Sequence, residues 1–160
     1  MKVRLATGED VSLVAEMLDE ATGFVATFGY DQWPVPFPHD ELRQRIRRRE
    51  LYVVEVEEEP AATFTLLWDD PFFWGARPPD AVYLHKLAVR RAFAGHRLGQ
   101  RIVEWVDATA AAAGRSFVRL DTQRDDRGIR RYYERLGFEY RGEREHPRFP
   151  AVLYERRVRS

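Results

Sequence analysis

The feature that most constrains the fold lies between Val82 and Ile102. An apolar, β-branched strand (Val82 to Val89) runs into a small-residue turn, Ala94-Gly95-His96-Arg97-Leu98-Gly99, which opens a helix marked by Leu98, Ile102, Trp105 and Val106. A helix N-terminus presents backbone N–H groups without intrahelical partners and the positive end of the helix dipole. Glycine in the turn lets a phosphate approach the backbone. The segment is therefore built like an anion cradle. It lacks the Gly-Lys-Ser/Thr ending of a Walker P-loop and the third glycine of a dinucleotide fingerprint.

Alternating patterns surround it. Val3 and Leu5 form a short strand, and Thr7-Gly8-Glu9-Asp10 signals a helix start before Val11, Val14, Ala15 and Leu18. Three prolines interrupt residues 29–38, and His39 to Glu50 reads as a polar helix. Leu51 to Val56 and Ala62 to Trp68 form a hairpin around an acidic turn, followed by an aromatic loop over residues 69–75. Gly114 caps the helix begun at Leu98, Phe117 to Leu120 is a strand, and Ile129 to Leu136 is a short helix stopped by Gly137. Two strands, 138–145 and 151–158, end the chain. The order β-α-α-β-β-β-α-β-α-β-β describes one α/β domain of mixed sheet over residues 1–160.

Composition removes several classes. The 26 basic and 26 acidic residues balance, which disfavours a general nucleic-acid binder. The chain has no cysteine, so disulfides, zinc–cysteine sites and a cysteine nucleophile are absent. His39, His96 and His146 lack metal-ligand spacing, and no metal is expected. No apolar run approaches a membrane span and no signal-peptide core leads the chain, so a soluble cytoplasmic protein is expected.

A second motif follows the cradle: Asp126 to Phe138, ending Tyr133-Glu134-Arg135-Leu136-Gly137-Phe138. Tyr132 and Tyr133 point about 100° apart on a helix and must meet different environments. Taken together, Leu87 and Val89, the turn at 94–99, and the Tyr133-Glu134-x-x-Gly137-Phe138 ending resemble the GNAT superfamily of acyl-CoA-dependent N-acyltransferases. The chain departs from that pattern at three places. Ala94 replaces an Arg or Gln, Arg97 replaces a glycine, and Asp126 stands where Asn is usual. Arg97 suits a right-handed helical backbone, and Asp126 suits a helix N-cap.

The resemblance implies a GNAT-like fold with its sheet splayed between the fourth and fifth strands. It implies acetyl-CoA, or another acyl-CoA, as co-substrate. Leu87 and Val89 would flank the pantetheine, residues Ala94, Gly95, His96, Arg97, Leu98 and Gly99 would hold the pyrophosphate, and Asp126 and Tyr133 would complete the donor site. The reaction is direct attack of an amine on the thioester, with no covalent enzyme intermediate. Tyr133 matches the family's acid for the leaving thiolate, and the Val89 N–H its thioester-oxygen donor. His85, placed by strand alternation on the face of Val89, is the candidate base, with Glu55, Asp69 and Asp121 as rivals. Trp33, Trp68, Asp69 and Phe73, with Phe37, Phe72 and Trp74 in the same loops, are candidate walls for a small-molecule or peptide amine, and Asp69 and Asp70 suit a cation. Arg45, Arg47, Arg48 and Arg49 read as a solvated helix face. Many relatives dimerise, which admits a homodimer. The competing reading is a GNAT-fold protein that binds acyl-CoA without turnover.

Overall fold

The computed structural model describes residues 1–159. Seven strands alternate with five α-helices: β1 (Lys2–Leu5), α1 (Val11–Ala26), α2 (His39–Arg47), β2 (Leu51–Val56), β3 (Glu59–Leu67), α3 (Pro71–Trp74), β4 (Ala81–Val89), α4 (Leu98–Ala112), β5 (Phe117–Gln123), α5 (Arg127–Arg135), β6 (Glu139–Arg144) and β7 (Ala151–Arg157). Strand order across the sheet is β1-β2-β3-β4-β5-β7-β6. β4 and β5 pair in parallel, whereas β1–β2, β2–β3, β5–β7 and β6–β7 pair antiparallel. Among the described residues no helix is long and apolar enough to cross a membrane.

The helix the sequence reading lacked is α3, in the aromatic loop. Pro71 presets the first helical φ, the Trp74 N–H donates to the Asp70 carbonyl at 2.9 Å, and Gly75 at φ 68° ends the turn. The hairpin between β2 and β3 is tighter than a four-residue acidic turn: Glu57 and Glu58 alone turn the chain, at φ 52° and 68°.

The chain divides into two compact units. The first holds Met1–Leu66 and Lys86–Gly99, the second Leu67–His85 and the chain from Gln100 onward. In the first, the helical spacing of Val11, Val14, Ala15 and Leu18 becomes the buried face of α1, packed with Leu42 of α2, Leu51 and Val53 of β2, Phe37 and Ala88. Phe37 is fixed by its backbone N–H, which donates to Asp19 Oδ1 at 2.9 Å. Arg45 pairs with Glu50 at 2.7 Å while Arg47, Arg48 and Arg49 face solvent, as expected of a solvated face.

In the second unit, Leu67, Phe73, Trp74, Ala81, Tyr83, Ala151 and Leu153 form one apolar cluster. Ile102, Val106 and Ala110 of α4 and Val118 and Leu120 of β5 are also buried. The β4–β5 pairing is brief. It runs from Ala81↔Phe117 to Tyr83↔Arg119 and stops, although β4 continues to Val89 and β5 to Gln123. This early parting is the splay expected between the fourth and fifth strands.

Candidate active site

The 94–99 turn forms in the first unit. After β4 one turn of 3-10 helix, Arg91–Phe93, closes with the Ala94 N–H on the Arg91 carbonyl at 3.1 Å. Gly95 then takes φ 83°. Residues 94–97 are exposed, whereas Leu98 and Gly99 are buried at the start of α4. The first N–H groups of this 15-residue helix have no intrahelical partner. Two contacts tie the turn to α1: the Arg91 N–H donates to Glu20 Oε1 at 2.8 Å, and its guanidinium lies over the Phe24 ring, 3.7 Å from the centroid. One expectation fails here. Arg97 is left-handed, at φ 55°, and so retains the backbone of the glycine it replaces.

Alternation also fails in β4. Lys86 has φ 50°, so the period-two rule that put His85 on the face of Val89 does not run through it. Beyond Lys86, Ala88 enters the α1 core while Leu87 and Val89 stay half-buried.

Tyr133 lies in the second unit, on α5. Asp126 caps this helix, accepting from the Ile129 N–H at 3.2 Å, which is the N-cap role its identity suggests. Tyr133 is buried and Tyr132 only half-buried, the division their angular separation requires. Edge-on rings of Tyr132 and Phe138, 5.2 and 5.7 Å away, fix the Tyr133 ring. Burial pushes the Tyr133 hydroxyl well above a tyrosine's usual range, and the charges of Tyr132 and Asp121 act in the same direction. The hydroxyl therefore stays protonated across neutral pH.

His85 stands between two carboxylates of the same unit. Its Nε2 is 2.8 Å from Asp70 Oδ2 and its Nδ1 is 3.3 Å from Asp121 Oδ1. The three side chains are only 12%, 7% and 12% exposed, in the order His85, Asp70, Asp121. Phe73 covers the imidazole at 6.0 Å and stacks on His146 at 5.8 Å. The donor atoms of the three residues lie within 4.8 Å of one another, close enough to hold a cation, although each ring nitrogen already faces a carboxylate. Sequence reading nominated His85 and Asp121 separately, and Asp70 only for its charge. Their three-way contact depends on how a loop and two strands meet, and no local spacing encodes it.

A pocket of about 310 Å³ adjoins this group, lined by Trp68, Asp69, Asp70, Pro71, Tyr83 and the Gly75–Pro79 loop. Trp68 is exposed, with the Arg115 guanidinium 5.2 Å from its ring centroid. The structure thus gathers Trp68 and Asp69 at the pocket and Phe73 at His85. Trp33 instead packs on the core of the first unit. Glu55, a rival base, is occupied by an ion pair with Arg4 at 3.1 Å.

Known proteins share this architecture. A Listeria monocytogenes GNAT-family acetyltransferase matches with a TM-score of 0.79 at 23% identity, over 98% of this chain and 94% of that one. The aminoglycoside acetyltransferase AAC(6')-Ib, crystallised with coenzyme A, matches with a TM-score of 0.76 at 19% identity, over 98% and 94%. In sequence, the uncharacterized N-acetyltransferase YesJ of Bacillus subtilis is 28% identical over 145 residues, 86% of this chain and 81% of that protein. Residues 12–138, which hold the cradle, the splayed strands and the Tyr133 helix, match the acetyltransferase (GNAT) family. With sequence and fold in agreement, the chain belongs to the acetyltransferase (GNAT) family.

Proposed function

We propose that the chain is a single acyltransferase domain that moves an acyl group, acetyl first among them, from acyl-CoA to a primary amine of a small molecule or peptide. Leu87 and Val89 flank the pantetheine, and residues 94–99 hold the pyrophosphate on backbone N–H groups. The free amine attacks the thioester carbon, the carbonyl oxygen accepts from the Val89 N–H, the C–S bond breaks, and Tyr133 protonates the thiolate. His85 with its carboxylates takes the proton that the amine loses. The observation that carries this reading is Tyr133 itself, buried on the helix that ends the family motif. The acceptor meets Trp68 and Asp69, with Phe73 behind them. A small amine suits a pocket of about 310 Å³.

A thermal melt with acetyl-CoA and with free CoA tests the donor half. Ligand at ~100 times its dissociation constant adds about 2.7 kcal/mol, a rise of roughly 5–10 °C at this length. No shift at millimolar ligand contradicts the donor site. A shift without turnover of any amine selects the binding-only reading.

A further inference from the structure

We propose that Glu20 of α1 is a positioning residue for the acyl-CoA donor. It caps the 3-10 turn that leads into residues 94–99, and so holds the N–H groups of the cradle ready for the pyrophosphate. The proposal rests on the donor half of the reading above and adds to it a residue outside every motif the sequence displays.

The turn does not cap itself. A helix start leaves its first N–H groups without intrahelical partners, and Ser, Thr, Asp or Asn at the N-cap is the usual remedy. Here the N-cap is Arg90, whose side chain makes no cap hydrogen bond. The Phe93 N–H donates to the Arg90 carbonyl at 2.9 Å and the Ala94 N–H to the Arg91 carbonyl at 3.1 Å, so both are satisfied within the turn. The Arg91 N–H finds its acceptor elsewhere. Glu20 Oε1, 71 residues away in sequence, takes it at 2.8 Å.

One face of α1 makes the attachment. Glu16, Glu20 and Phe24 recur at intervals of four, the spacing of neighbours on a helix surface. The Arg90 guanidinium lies between the two carboxylates, with Nη2 3.1 Å from Glu16 Oε1 and Nε 3.5 Å from Glu20 Oε2. The Arg91 guanidinium lies over the Phe24 ring. The Arg90 N–H donates to the Ala61 carbonyl of β3 at 2.9 Å. The two residues that enter the turn are therefore held on α1 and on the sheet.

The cradle needs that support. Gly95 and Arg97 both have positive φ, at 83° and 55°. A non-glycine residue keeps such a backbone only where its surroundings hold it. N–H groups that already converge bind a phosphate without the cost of ordering them, and groups that must first be ordered lose that cost from affinity. Glu20 is half-buried and its charge is met by Arg90, so it acts on the donor through the turn and not by touching the phosphate.

Calorimetric titration with acetyl-CoA and with free CoA tests the role, beside NMR amide exchange at Arg91 in the uncomplexed protein. Glu20→Ala removes the acceptor, whereas Glu20→Gln keeps a carbonyl oxygen able to take the same bond. Glu20→Ala should weaken both nucleotides about tenfold and raise the acetyl-CoA KM with kcat at saturation unchanged. Its Arg91 amide should exchange faster. Glu20→Gln should recover both affinity and protection. Wild-type affinity in Glu20→Ala overturns the proposal, as does unchanged exchange at Arg91. Equal losses in the Ala and Gln variants overturn it in favour of the ion pair with Arg90. Failure of the wild type to bind either nucleotide contradicts the donor reading itself. The exchange experiment needs neither nucleotide nor amine, so the two failures are told apart.

Discussion

His85 Nδ1 and Asp121 Oδ1 lie 3.3 Å apart, each two residues beyond the last paired positions of β4 and β5. A gap in the sheet thus becomes a polar junction. Backbone pairing has ended there, and a carboxylate–imidazole contact takes its place.

Tyr133→Phe keeps the ring packed against Tyr132 and Phe138 and removes only the hydroxyl. The expected result is a 10²–10⁴-fold fall in kcat with an unchanged melting temperature. Because burial disfavours the phenolate, the wild-type rate should show no loss from Tyr133 ionisation near pH ~10, where a free tyrosine titrates. A pH–rate profile checks this.

Asp10 joins Arg4 by two contacts, at 2.8 and 2.9 Å, and accepts the Thr7 N–H at 2.7 Å. The Arg4 hydrogen bond holds its carboxyl below the usual carboxylate range, against the opposing effect of burial. A carboxyl lowered on folding stabilises above its unfolded value, about 3.9, and the effect fades as pH falls below that through the lowered value. Asp10→Asn should therefore cost about 1–2 kcal/mol at neutral pH, and the difference from wild type should close below pH ~4. Urea unfolding across pH measures it.

Arg97 holds a left-handed φ of 55°. Arg97→Gly removes about 1 kcal/mol of backbone strain against a glycine entropy cost of about 0.5 kcal/mol. A small gain in stability is expected, and the melt should still respond to acetyl-CoA. A clear loss of stability would mean that the Arg97 side chain contributes more than its strain removes.

Glu57 and Glu58 carry positive φ at both central positions of the β2–β3 turn. That geometry favours Asn-Gly. The double change Glu57→Asn with Glu58→Gly should raise the urea midpoint, with a gain of about 1–2 kcal/mol.

Arg156 of β7 pairs with Asp107 of α4 with both side chains only 6% exposed, and also donates to the Leu136 carbonyl at 2.8 Å. Asp107→Ala leaves that guanidinium buried without its counter-charge. A cost of about 3 kcal/mol is expected, read as a fall in melting temperature.

Much of the fold was legible in the sequence because its signals are local. Helical spacing in Val11, Val14, Ala15 and Leu18 becomes a buried face, and Gly114 and Gly137 mark chain reversals at φ 72° and 90°. Asp126 could be assigned as a cap because a cap depends on its own helix, whereas the spacing of Tyr132 and Tyr133 showed that their environments differ and not which ring is buried. Positions that depend on distant packing were less accessible. Lys86 at φ 50° breaks an alternation that residue types alone would continue through His85. Asp69 and Asp70 are adjacent and chemically identical, yet only Asp70 is turned inward onto His85, a choice made by the α3 turn that follows.

Acyl transfer with Tyr133 as the acid ends in release of a free thiol. Its most direct test is thiol release from acetyl-CoA against a panel of primary amines, for the wild type and for Tyr133→Phe. A chain without cysteine contributes no thiol background. Amine-dependent release by the wild type is expected, with a loss of at least about 100-fold in the variant. Release by Tyr133→Phe at the wild-type rate, or none from the wild type with any amine, would contradict it.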